Sequence, residues 1–83
     1  MSDLTTNIVA GPGGVMTDEV GVVTGELTLA TEPVGDGTVR LRVQYLGAEE
    51  WYTVTGATVP VTDPAQAASL HALAVGLLNR PEG

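Results

Sequence analysis

The chain has 83 residues, no cysteine, and ten acidic residues against three arginines and no lysine, for a net charge of −7. Its length is that of one domain near the small end of what folds unaided, disulfides are impossible, and a single histidine argues against a structural zinc site. The sign of the charge argues against direct binding of nucleic acid or an anionic membrane; it suits solubility, a basic partner or imitation of a phosphate backbone.

There is no phenylalanine, and Trp51, Tyr45 and Tyr52 are the only aromatics, so the core must be built from valine, leucine and alanine. A core of small side chains offsets the entropy of ordering narrowly, and oligomerisation is the stabilising device this composition leaves open. The absence of lysine and phenylalanine beside abundant Val, Ala, Gly and Thr fits a GC-rich bacterial or phage genome. Residues 1–7 lack the positive and apolar regions of a signal peptide, and no run approaches the ~20 apolar residues of a membrane span. A cytoplasmic protein is expected.

In chain order, residues 1–7 read as a flexible tail and 8–83 as one domain. Residues 8–23 suggest one or two irregular edge strands, with Gly11-Pro-Gly-Gly14 as a turn that breaks the first sharply. From Thr24 the pattern strengthens. Residues 24–31 and 38–46 alternate apolar and polar positions with period two, and Pro33–Gly37 between them is turn chemistry. A third strand is expected at 51–55 after the loop Gly47–Glu50.

Pairing Leu46 with Trp51 sets Tyr45 opposite Tyr52 and Val43 opposite Val54, while Leu29 opposite Leu41 and Leu27 opposite Val43 keep the same faces. A slip of one residue would set leucines against arginines. The apolar face then holds Leu27, Leu29, Leu41, Val43, Tyr45, Tyr52 and Val54. Residues 57–61 alternate again, with Gly56 suited to a bulge and Pro60 confining the piece to an edge.

A helix over 64–79 follows. Asp63 is its N-cap, Pro64 its first residue and Gln66 completes a capping-box spacing, while Pro81 stops it. At 100° per residue, Leu70, Leu73 and Leu77 form a ridge expected to dock on the sheet. The expected fold class is α+β: a small antiparallel meander of three to five strands with one C-terminal helix packed on one face.

No constellation carries an enzyme signature, so no catalytic, cofactor-binding or metal-ligating residues are assigned and no cofactor is expected. His71 lies inside the helix with no carboxylate three or four residues away. Asp18-Glu19 and Glu49-Glu50 are adjacent pairs that solvate turns and lack calcium-loop spacing. Gly11–Gly14 lacks the Lys-Ser/Thr ending of a phosphate-binding loop.

Two surfaces stand out as candidates for interaction. One is the polar sheet face, where Arg40 and Arg42 concentrate positive charge beside Trp51; they read either as solvated alternation with Glu26 or as an anion contact with an apolar anchor. The other is the side of the helix opposite the leucine ridge, with Ala68, His71, Ala72, Val75 and Gly76. No charge lies between Asp63 and Arg80. The expected function is a non-catalytic protein–protein interaction or accessory module that associates with itself as a homodimer or with another protein. The alternative is an acidic inhibitor that mimics nucleic acid on a basic protein. A third reading is a small-molecule enzyme or binder using the cleft between sheet and helix, with His71, Tyr45 or Tyr52.

Overall fold

The computed structural model describes residues 4–35 and 37–81. Four antiparallel strands, β1 (Leu4–Thr17), β2 (Gly21–Pro33), β3 (Thr38–Tyr45) and β4 (Tyr52–Pro60), are followed by one helix, α1 (Pro64–Leu78). The strands run as a meander in the order β1-β2-β3-β4 and curl until β4 meets β1. The fold is therefore α+β, a small antiparallel sheet with a C-terminal helix on one face.

Alternation sends one side of each strand inward. Leu27, Leu29 and Val43 are fully enclosed, and Ile8, Val15 and Val23 complete the centre of the core. A four-stranded barrel is narrow enough for such side chains to fill it, which is why a chain without phenylalanine can pack it. Tyr45 and Tyr52 meet edge to face, their centroids 6.4 Å apart; Tyr45 remains exposed.

The faces of β2, β3 and β4 match those expected from alternation, but the register does not. Leu29 lies opposite Val43 rather than Leu41, and Leu27 opposite Tyr45 rather than Val43. In the next hairpin Val43 lies opposite Tyr52. Both pairings are slipped by two residues, which leaves every side chain on its face and so is invisible to hydrophobic patterning. Turn geometry decides between such registers: Val34 N–H donates to Thr38 C=O and Thr38 N–H to Gly35 C=O, both at 3.0 Å, closing the first turn tightly.

Gly11–Gly14 does not end a strand. It forms a bulge inside β1, between the pairs Ala10–Gly25 and Val15–Val23, and the strand resumes beyond it. Gly14 sits at φ 66°, where a side chain is disfavoured. A second bulge interrupts β4 around Gly56, φ 75°, between the pairs Arg42–Thr53 and Arg40–Thr58. Extra residues on one strand bend it, and these two bends let long strands wrap into a barrel. Leu4–Asn7, expected as part of a loose tail, are instead the start of β1; residues 1–3 lie outside the described residues.

Helix α1 opens with the capping box expected of Asp63 and Gln66. Asp63 Oδ1 accepts from Ala65 N–H at 2.9 Å, and Gln66 Oε1 accepts from Thr62 N–H at 2.7 Å. The helix ends at Leu78 with Asn79 as its C-cap, one residue earlier than expected. There the chain ties back to β1: Val9 N–H donates to Asn79 Oδ1 at 2.9 Å, and Arg80 N–H donates to Val9 C=O at 2.7 Å. Among the described residues no helix is long and apolar enough to cross a membrane.

Candidate interaction site

The barrel is not sealed along its length. Among the described residues β1 pairs with β4 at Thr17–Val54, supported by Asp18 N–H donating to Thr53 C=O at 3.0 Å. The turn after β1 reinforces that junction with side chains. Glu19 accepts from Thr53 N–H at 2.7 Å and from its hydroxyl at 3.0 Å, and Asp18 accepts from the Thr55 hydroxyl at 2.7 Å. These carboxylates, expected only to solvate a turn, hold β4 to the β1–β2 hairpin. The hydrogen bond from the Thr53 backbone holds the Glu19 carboxyl below its ordinary range.

Beyond this junction α1 covers the opening, packed on β1 and β2. The buried line of the helix is Ala67, His71 and Ala74, with Leu78 half-buried below them. Their spacing of four, three and four residues is one helical stripe. Alanines there let the helix approach the barrel closely. The expected docking ridge is thereby displaced: Leu70 is half-buried, but Leu73 and Leu77 are each 60% exposed. They lie roughly a quarter to a third of a turn from the buried stripe, on the side facing β3 and β4.

Between α1 and that part of the sheet is a groove of about 290 Å³. Leu70, Leu73 and Leu77 form its helical wall, and Val39, Leu41 and Val59 line the sheet side. Arg40 is the single charged residue among those lining it, and its Nε donates to Glu32 Oε1 at 2.6 Å. Thr31, whose hydroxyl lies against His71, is the one uncharged polar residue among those lining it, so the groove is an apolar trough with a neutralised rim, suited to apolar side chains.

His71 does not lie on an open helix face. It is 8% exposed, with Nε2 2.7 Å from the Thr6 hydroxyl and Nδ1 2.9 Å from the Thr31 hydroxyl. A neutral imidazole donates through one nitrogen and accepts through the other, and threonine hydroxyls serve either role, so both ends are satisfied. Burial pushes its pKa down, favouring that neutral form. The histidine pins α1 to β1 and β2. Val75 also turns partly inward and packs against the core, whereas Ala68, Ala72 and Gly76 are exposed as expected.

Arg40 and Arg42 share the outer sheet face, half-buried, with Glu32 between them: its Oε1 lies 2.6 Å from Arg40 Nε and 3.6 Å from Arg42 Nη1. Arg42 Nη2 donates to the Trp51 carbonyl at 3.1 Å, which brings the third residue of this candidate surface alongside. Among the described residues no group of three metal-ligating side chains comes together. Sequence reasoning missed the exposure of Leu73 and Leu77 and the partners of His71. Leu73 and Leu77 carried no distinguishing signal, because apolar residues occur on every side of α1. Comparison with protein-family models, with curated proteins and with solved structures found no match.

Proposed function

We propose that this chain is a non-catalytic protein-interaction module of a bacterial or phage cytoplasm, and that its contact face is the groove wall of α1. The observation that carries this reading is the pair Leu73 and Leu77, each 60% exposed beside an apolar groove, on a helix without charge between Asp63 and Arg80. Large apolar side chains grouped at a groove gain free energy when another chain covers them. Burial of His71 in the helix–barrel interface, with both nitrogens paired to threonine hydroxyls, supports a structural part for it.

The acidic-inhibitor reading gains less support. Asp18, Glu19, Glu49 and Glu50 gather at the end of the barrel where both the β1–β2 and β3–β4 turns lie. Two of these four spend their carboxylates on Thr53 and Thr55, holding the barrel shut.

Capture of proteins from the host extract, compared between the wild type and a Leu73→Glu/Leu77→Glu variant, tests the proposal. The expected result is partners lost from the double variant and kept by Ala68→Glu, with circular dichroism showing all three folded. Equal capture together with equal self-association of wild type and double variant overturns the groove as the contact face.

A further inference from the structure

Resting on that reading of the groove, we infer that its occupant is a second copy of this chain, docked with the two α1 helices antiparallel about a twofold axis. Three observations converge on this arrangement. Two copies each carrying a net charge of −7 repel over most of their surfaces, and α1, uncharged between Asp63 and Arg80, is where they approach most cheaply. A twofold contact also requires one patch to be both knob and hole. Leu73 and Leu77 project at the lip of the groove whose wall they form, so each copy offers leucines and a trough to receive them.

The third observation sets the direction. Asp63 caps the start of α1 and Arg80 lies just past its C-cap, about 25 Å along the axis at 1.5 Å per residue. Antiparallel helices bring each arginine toward the other copy's aspartate, at both ends of the contact. Parallel helices set acid against acid and arginine against arginine. The helix dipoles favour the same choice. Matching Asp63 to Arg80 puts the axis between His71 and Ala72; the neighbouring register, centred between Ala72 and Leu73, keeps those charges within side-chain reach and sets Ser69 of one copy opposite Gly76 of the other. Both positions are small and exposed, and a Cβ added at Gly76 meets nothing within 4 Å, so the helices can approach there.

The chain has no cysteine, which makes the geometry directly readable with Ser69→Cys and Gly76→Cys. Sedimentation over a concentration series should show a monomer–dimer equilibrium, weakened at least tenfold by Leu73→Glu. A short bismaleimide added to a mixture of the two cysteine variants should yield mainly the 69–76 cross-linked heterodimer, with less self-linking of either alone. Dimers that give only 69–69 and 76–76 products overturn the antiparallel arrangement. A chain that remains monomeric while still capturing another protein through Leu73 and Leu77 overturns the second copy as occupant and leaves the contact face standing. A monomer whose captures ignore both leucines overturns this inference and the reading beneath it.

Discussion

Glu19 accepts two hydrogen bonds from Thr53, one from the backbone and one from the side chain, at 2.7 and 3.0 Å. Because the backbone bond holds its carboxyl below the ordinary 4.5, Glu19 contributes stability above that pH and loses it as pH falls through the lower folded value. Thermal unfolding followed from neutral pH into acid should show a midpoint that drops in this window. Glu19→Gln should lower the midpoint at neutral pH and flatten that acid-side drop. An unchanged pH profile in the variant would show that other carboxylates carry the acid sensitivity.

His71 gives a separate pH dependence at higher pH. Its folded pKa is lowered by burial from 6.5, so below about 6.5 the unfolded chain takes up a proton that the folded chain resists. Stability should fall as pH drops from there and level off once folded His71 is itself protonated. His71→Ala removes this slope, but it strands the buried Thr31 hydroxyl and should cost about 1–3 kcal/mol at pH 8. Urea titrations at pH 8 and pH 5.5 on both chains check the slope and the offset.

One leucine-to-alanine change should behave in two ways. Leu29 is wholly enclosed, and Leu29→Ala should cost about 2–5 kcal/mol through lost transfer energy and a residual cavity. Leu73→Ala should stay within about 0.5 kcal/mol of the wild type at dilutions where the chain is monomeric. Chemical denaturation of both variants measures the contrast, and a costly Leu73→Ala under those conditions would place Leu73 in the core.

The bulge in β1 has one position that cannot take a side chain. At Gly14 a Cβ would stand 2.5 Å from the Val23 carbonyl oxygen and 2.5 Å from Val22 Cγ1, on a backbone already at φ 66°. Gly14→Ala should cost about 2 kcal/mol or more, combining the left-handed penalty with displacement of β2. At the neighbouring Gly13 a Cβ meets nothing within 4 Å, and Gly13→Ala should be close to neutral. Thermal unfolding of the two variants side by side separates the bulge geometry from mere loss of glycine.

The legible parts of the fold were those with local chemistry. Asp63, Pro64 and Gln66 announce the helix start because capping is a matter of four adjacent residues. The faces of β2 and β3 follow from alternation. Their register does not, since Leu29 opposite Leu41 and Leu29 opposite Val43 satisfy the same pattern, and the turn at Val34–Thr38 makes the choice. Gly11–Gly14 misled because one glycine-rich run encodes both a turn and a bulge; pairing with β2 across it selects the bulge.

The candidate site was hidden for a related reason. A helix with apolar residues all round does not declare its buried side, and size suggested the leucines. Here the small residues Ala67 and Ala74 lie against the barrel, and the leucines hang over its edge. Partners for His71 come from Thr6 and Thr31, too far away in sequence for any local pattern to reveal them.

The tie between Val9 and Asn79 spans 70 residues of sequence and brings the beginning of the described chain under its end. Until Asn79 and Arg80 dock, the Val9 backbone groups on the free edge of β1 lack these partners, and a bare strand edge is a template for other chains. Contacts of such sequence separation also form slowly. A chain from which Asn79 and Arg80 are removed leaves that stretch of edge open to pairing with other chains.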